Sequence, residues 1–194
     1  MPEGYLKAPD FTLQLANGGD LVLSETWREH SVLLWFSRGL VCPFCRRQMV
    51  QLARVHDDLL AQDVIVVQIT ATTLETARKM LEYFEVRWPY ACDADGVVAA
   101  AYDMASEGIV KKIGSAFLEQ ARAWSIIAQS PGEPHPEVLG VVKESEPPPA
   151  RDGGMVLVDR GGRVRFKQPS GKLSLLPSTG NLLRIVRETL GKAA

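Results

Sequence analysis

The chain has 194 residues, of which 46% are hydrophobic and 23% charged, and its formal net charge is −1. This composition is typical of a soluble globular protein with one well-buried core, and the near-zero charge argues against nucleic acid as the main partner. No apolar run approaches the roughly 20 residues that span a membrane, and the N-terminus lacks the basic and apolar regions of a signal peptide. We therefore expect a cytoplasmic protein without a membrane partner.

The first part of the chain alternates apolar runs with a helical pattern. Residues 11–15 and 21–23 flank a glycine turn and predict an antiparallel β-hairpin. The continuous apolar runs 32–36 and 64–70 predict strands that are covered on both faces. Between these runs, residues 43 to about 62 carry apolar side chains at helical spacing. A strand, a helix and a second strand are therefore expected in succession.

The later elements continue this alternation. Thr72 or Thr73 is expected to cap a helix that runs to about residue 84, and a short extended piece at 88–93 precedes a turn and a short helix. The segments "MVLVD" and "RVRFK" flank "RGG" and predict a second hairpin, and residues 178–190 predict a C-terminal helix. The order predicts an α/β protein with a mixed central sheet flanked by helices and an N-terminal β-hairpin.

Residues 105–151 do not follow this pattern. The stretch 130–151 alone holds six of the twelve prolines. We interpret 105–151 as an insertion within one domain that spans residues 1–194. Because the chain leaves after the third helix of the main pattern and returns at Gly153, the insertion is expected to pack over or beside the cysteines described next.

The chain has three cysteines, Cys42, Cys45 and Cys92, and this odd count excludes a fully paired set of disulfides. Cys42 precedes Pro43, and proline is well suited to the first position of a helix. Cys42 would then cap the positive end of the helix dipole, which lowers the pKa of a thiol. Arg46, in the first turn, adds positive charge. Cys45 lies one helical turn on, close enough to form a short disulfide.

The C-x-x-C pair could also serve two roles outside redox chemistry. A zinc site needs two further ligands at close spacing, but Cys92 is alone and His56 lies well down the predicted helix. Two buried structural cysteines are a second alternative, although a helix start beside proline and arginines is seldom buried. We therefore favour Cys42 as a nucleophile and Cys45 as a resolving thiol, with no metal. Cys92 is predicted to be a core residue, and the three histidines, at 30, 56 and 135, are predicted to be surface residues.

The strand ending in "WF", the helix opening "VCPFCRR", the "WPYACDADG" turn and the "MVLVDRGGRVRF" hairpin resemble the AhpC/TSA (peroxiredoxin-like) family of the thioredoxin-like superfamily, in a C-P-x-C variant. The resemblance covers about residues 8–104 and 153–190. It implies a thioredoxin-like fold and thiol-dependent peroxide reduction, with Cys42 at the peroxidatic position. It also implies a dithiol reductant such as thioredoxin, a homodimer and no cofactor.

The sequence departs from the typical peroxiredoxin pattern at three positions. Trp35 stands where the family has a proline, and Gly39 where it has a threonine or serine, so the hydroxyl that helps to bind peroxide is missing. Ser37 lies two residues from that place. The family's active-site arginine, and the proline that thioredoxins carry, would both fall near Gly153. Arg38 or Arg46 is the candidate to replace that arginine.

Three functions remain open at this point. The first is a peroxidase, in which Cys42 becomes a sulfenic acid and Cys45 resolves it. The second is a thiol–disulfide oxidoreductase, in which Cys42 forms a mixed disulfide with a protein and Cys45 releases it. The third is a redox sensor whose cysteine pair only switches shape. The order of elements favours the peroxidase.

Overall fold

The computed structural model describes residues 6–38, 43–104, 153–169 and 177–191, and the elements below are numbered within these ranges. The predictions for Cys42 and for the insertion lie outside the described residues. The strands are β1 Thr12–Gln14, β2 Asp20–Val22, β3 Ser31–Ser37, β4 Val64–Thr70, β5 Tyr90–Cys92, β6 Gly154–Val158 and β7 Val164–Pro169. The helices are α1 Leu23–Glu29, α2 Pro43–Ala61, α3 Leu74–Leu81, α4 Val97–Ala101 and α5 Thr179–Leu190.

Five strands form one mixed sheet in the order β5-β4-β3-β6-β7. The strands β3, β4 and β5 are parallel, whereas β6 is antiparallel to β3, and β7 is antiparallel to β6. All residues of β3 and β6 are buried, as continuous apolar runs predict for strands covered on both faces. The predicted α/β fold with a mixed sheet is confirmed, and its three inner strands are formed by the apolar runs 32–36 and 64–70 and by the segment "MVLVD".

The N-terminal hairpin is confirmed as β1 and β2, which pair antiparallel with Leu13 opposite Leu21. The prediction that residues 21–23 form one strand is wrong at its end, because Leu23 begins α1, a helix that the sequence analysis missed. Leu23 and Trp27 lie one turn apart on α1, and both are buried. Their burial against the sheet stabilises a helix whose N-cap, Val22, offers no side-chain acceptor.

Alternate residues of the strands face two separate apolar cores. One face, with Leu33 and Trp35 of β3, packs against α2, α3 and α5. The opposite face, with Leu34 and Phe36, packs against α1, α4 and the segment that follows α4. The sheet is therefore the middle of three layers. Within the described residues, no helix has the length and apolar character needed to cross a membrane.

Candidate functional site

Three strand ends define the site. Ser37 of β3 pairs in register with Thr70 of β4, and Thr70 pairs with Cys92 of β5. Because these three strands are parallel and each residue ends its strand, the three side chains stand in a row at the carboxyl edge of the sheet. The 2.6 Å hydrogen bond between the Ser37 and Thr70 hydroxyls shows that these two side chains share a face. That face is the one covered by α2.

Cys45 is on the first turn of α2 and is buried on the same side of the sheet as this row of side chains. The helix begins at Pro43, as the proline predicts, and Cys45 is buried in the core beneath it. The backbone N–H of Arg38, directly after β3, donates a hydrogen bond of 3.3 Å to Cys45 Sγ. The resolving thiol of the sequence analysis is thus held between the end of β3 and the start of α2.

The other predicted site residues lie around this point. Arg38 is partly buried after β3, and Arg46 is buried in the first turn of α2, whose first turn carries no acidic residue. Gly153 is buried just before β6, and the next residue, Gly154, pairs in register with Phe36. The fold therefore brings the surroundings of Arg38, Cys45 and Gly153 to one end of the sheet.

Cys92, the last residue of the row, lies in a partly buried environment that disfavours a thiolate. Burial raises the pKa of the Cys92 thiol to about 11, against a smaller opposing effect from the charge of Arg78. The predicted core position of Cys92 agrees with its packing at the margin of the α2-side core. The next residue, Asp93, is buried and accepts hydrogen bonds from the backbone N–H groups of Val98 and Ala99, 3.2 and 2.9 Å away. Asp93 thereby fixes the start of α4.

A buried polar network beneath Cys45 was missed by the sequence analysis. The Trp88 indole N–H donates to Gln68 Oε1 at 3.0 Å, and Gln68 Nε2 donates to Ser37 Oγ, also at 3.0 Å. The Ser37 hydroxyl in turn shares the 2.6 Å hydrogen bond with the Thr70 hydroxyl. A signal was present, because polar residues at the ends of otherwise apolar, fully buried strands need partners.

His56 is not a surface residue, contrary to the prediction. It is only 6% exposed, and its ring lies 5.7 Å from the ring of Trp88. Leu52, Val55 and Leu59 are buried on the same helix, so His56 falls on the inward face of α2. Burial lowers the pKa of His56, the charge of Arg87 lowers it further, and Asp57 opposes both. His30 agrees better with the prediction, since it is partly exposed and pairs with Asp63.

The described ranges contain no group of three or more His, Cys, Asp or Glu side chains placed to hold a metal ion. The described part of the site offers a thiol, hydroxyls, a buried guanidinium and backbone N–H groups. Such groups can stabilise sulfur as a thiolate and position it for attack.

One protein family matches this chain in sequence. The model of the AhpC/TSA family matches residues 6–129, more than half of the chain. No curated protein matches the chain in sequence.

Solved structures show the same fold at low sequence identity. Peroxidoxin BcpB from Mycobacterium tuberculosis has a TM-score of 0.64 and 16% identity, with 95% of this chain and 96% of that chain covered. A reduced 2-Cys peroxiredoxin from Plasmodium vivax has a TM-score of 0.65 and 13% identity, with 98% and 99% covered. A Chlorobium tepidum protein assigned as a thiol:disulfide interchange protein DsbE has a TM-score of 0.61 and 19% identity, with 97% and 99% covered.

Proposed function

Because the chain belongs to the AhpC/TSA family, we propose that it is a thiol peroxidase in which Cys42 is the nucleophile and Cys45 the resolving thiol. The observation that carries this proposal is the placement of Cys45. Its sulfur is held 3.3 Å from the Arg38 backbone nitrogen, one helical turn beyond position 42 and at the carboxyl edge of the sheet. A thiol fixed there is in reach of a partner that directly precedes Pro43.

The first step needs Cys42 as a thiolate. Helix α2 begins immediately after Cys42, its first turn carries no carboxylate, and Arg46 is buried in that turn. All three features favour negative charge at position 42. The thiolate attacks one peroxide oxygen, the O–O bond breaks, and the leaving oxygen takes up a proton as an alcohol or water. Cys42 is left as a sulfenic acid.

The second step uses Cys45. The Cys45 sulfur attacks the Cys42 sulfur, an S–S bond forms, and the sulfenic oxygen leaves as water. A dithiol such as thioredoxin then reduces this disulfide by exchange and is itself oxidised. No metal or organic cofactor takes part in these steps.

The departures from the typical pattern shape the proposal further. Ser37, the hydroxyl nearest to the missing one at Gly39, is engaged with Gln68 and Thr70 inside the fold. We therefore assign peroxide binding to backbone N–H groups at the start of α2 and to Arg38 or Arg46, which stand in for the family arginine absent at Gly153.

Peroxide consumption with a dithiol tests this proposal. Cys42→Ser should abolish turnover, whereas Cys45→Ser should still react once and accumulate a sulfenic acid that over-oxidises. Intact-mass spectrometry after mild peroxide distinguishes these products. First oxidation on Cys45 in the Cys42→Ser variant, at the wild-type rate, would contradict the assignment of the nucleophile.

A thiol–disulfide oxidoreductase is the second candidate. The C-x-x-C spacing supports it, as does the likeness of the fold to the Chlorobium tepidum protein. In this function Cys45→Ser would trap mixed disulfides between Cys42 and proteins. Reduction of an insulin-type disulfide at a rate well above that of peroxide consumption would favour this candidate over the peroxidase.

A further inference from the structure

Gln68 is a polar residue in the middle of the buried strand β4. It is 0% exposed, and it shares with Val64 and Val66 the face of the strand that packs under α2. A buried amide without hydrogen-bond partners destabilises a fold, so both ends of this side chain need partners inside the protein. Because Cys45 packs into the same core from α2, those partners lie on the side of the sheet that holds the resolving thiol.

The hydrogen bonds of Gln68 have only one consistent direction. The Trp88 indole N–H can only donate, and it lies 3.0 Å from Gln68 Oε1, so the amide oxygen faces Trp88. The amide NH₂ group is thereby turned to Ser37 and donates to its Oγ at 3.0 Å. Ser37 Oγ accepts this bond and donates its own proton to Thr70 Oγ1, 2.6 Å away. Two hydrogen bonds from β4 therefore hold the Ser37 side chain.

Ser37 is also the residue from which the donor to Cys45 projects. It ends β3, and its register partner Thr70 ends β4. The next backbone N–H, that of Arg38, lies beyond the paired part of β3 and donates to Cys45 Sγ at 3.3 Å. Since a peptide unit is planar, the Ser37 carbonyl and the Arg38 N–H turn together as one rigid plane. Holding the Ser37 side chain therefore restricts the directions in which that N–H can point.

We propose that Gln68 is a positioning residue for Cys45: by holding the Ser37 hydroxyl, its amide keeps the backbone N–H that follows Ser37 directed at the Cys45 sulfur. This role rests on the proposed function only in naming Cys45 the resolving thiol. An N–H donor favours the thiolate form of the sulfur that accepts it, and the thiolate is the form that attacks in the resolving step. The hydrogen bonds themselves oxidise or reduce no group.

The test is a pH titration of the Cys45 thiol by NMR in a Cys42→Ser/Cys92→Ser variant. The chain has three cysteines, so Cys45 is then the only one left, and cysteine labelled at Cβ reports its ionisation directly. Adding Gln68→Leu removes both ends of the amide and keeps most of its volume. This substitution should raise the midpoint of the Cys45 titration by about one pH unit, the effect expected when a charged acceptor loses one N–H donor.

A second readout follows the Arg38 amide itself. With Gln68 present, the amide proton resonance of Arg38 should move with pH at the same midpoint as Cys45, because the two groups share a hydrogen bond. In Gln68→Leu this movement should be largely lost. A Gln68 side chain that only filled space would be replaced by leucine without a change in this response.

Ser37→Ala tests the link between Gln68 and the end of β3. It removes the hydroxyl that the Gln68 amide holds and leaves the amide in place. The Cys45 midpoint should rise to a similar extent, by about one pH unit. If Gln68→Leu does not fold, the midpoint in Ser37→Ala decides the question.

Asn17→Leu is the matched control for the loss of an amide. Asn17 Nδ2 donates to the Trp88 carbonyl at 2.9 Å, and Asn17 Oδ1 accepts from the Tyr90 N–H at 3.1 Å, so this side chain holds the segment that leads into β5 without contacting Ser37. The substitution should leave the Cys45 midpoint unchanged.

An unchanged Cys45 midpoint in Gln68→Leu or in Ser37→Ala would overturn the proposal, and so would an equal rise in Asn17→Leu. The titration needs no peroxide. Failure of the wild type to consume peroxide with a dithiol would therefore refute the proposed function and leave the result of this titration standing.

Discussion

At the scale of single residues, Cys92 is expected to react slowly with thiol reagents, because burial at the end of β5 raises the pKa of its thiol to about 11. In a Cys42→Ser/Cys45→Ser variant, Cys92 should react with iodoacetamide at pH 8 about two orders of magnitude more slowly than a free cysteine of pKa about 8.5. The rate should reach that of a free cysteine once the protein is unfolded in urea. Equal rates in the folded and unfolded protein would contradict this expectation.

The raised pKa of Cys92 also makes the stability of the fold depend on pH. The pKa of Cys92 is higher in the folded protein than the reference value of 9.0, so the folded state binds this proton more tightly. The contribution of Cys92 to stability is thus fully present below pH 9.0 and is lost as the pH rises towards 11.

His56 makes the stability of the fold depend on pH at acidic rather than alkaline pH. Burial lowers its pKa below 6.5, so the folded protein favours the neutral ring, and stability falls as the pH drops from 6.5 through the folded-state value. His56→Phe retains an aromatic ring against Trp88 but has no proton to bind. We expect the free energy of unfolding of this variant to change less between pH 7 and pH 5 than that of the wild type. Urea unfolding curves at both pH values measure the difference, and equal changes would contradict the prediction.

At the scale of elements, the start of β6 requires glycine for close packing. A Cβ atom on Gly154 would lie 2.3 Å from Met104 Sδ and 2.8 Å from the Gln168 carbonyl oxygen, and the latter belongs to the paired strand β7. Gly154→Ala should therefore lower the free energy of unfolding by about 1–3 kcal/mol. Gly180→Ala is the matched control, since nothing lies within 4 Å of its Cβ position on α5.

Gly180→Ala should leave stability unchanged or raise it by up to about 1 kcal/mol, because alanine favours a helix. Chemical denaturation of both variants provides the comparison. If the two substitutions have the same effect, the packing at Gly154 does not constrain β6.

Most elements could be predicted because their patterns are strong. The apolar runs of β3 and β4, the proline at the start of α2 and the Thr73 cap of α3 all form as expected, with Thr73 accepting the Thr76 N–H at 3.2 Å. Helix α1 could not be read from its two apolar residues and uncapped start, since tertiary burial is what stabilises it.

The site was predictable only in part. The C-x-x-C pair identifies the thiols through local spacing alone. The network of Trp88, Gln68, Ser37 and Thr70 depends instead on the register between β3 and β4 and on the segment that leads into β5, which bring together residues far apart in sequence. The surface position predicted for His56 is wrong, because His56 lies between Leu52 and Leu59 on the buried face of α2 and its ring packs near Trp88, a contact that sequence spacing alone does not show.

At the scale of the whole molecule, the residues on either side of the segment 105–152 lie close together. Met104 is fully buried, and its sulfur lies against Gly154. We propose that 105–151 is an insertion in one domain, and we expect replacement of residues 105–152 by a Gly/Ser linker of about six residues to leave a folded protein. A single cooperative urea transition with retained near-ultraviolet circular dichroism would support this. Loss of the transition would show that the segment is part of the folding unit.

The contact between Met104 and Gly154 also bears on how readily this chain could change during evolution. The entropy of closing a loop grows only with the logarithm of its length, so each doubling adds about 0.6 kcal/mol. A segment anchored at two touching points can therefore lengthen, shorten or be exchanged while the free energy of folding stays nearly constant. Those anchor points lie at the end of the sheet where Arg38 contacts Cys45, so any change in the length of 105–152 would be introduced beside the proposed site.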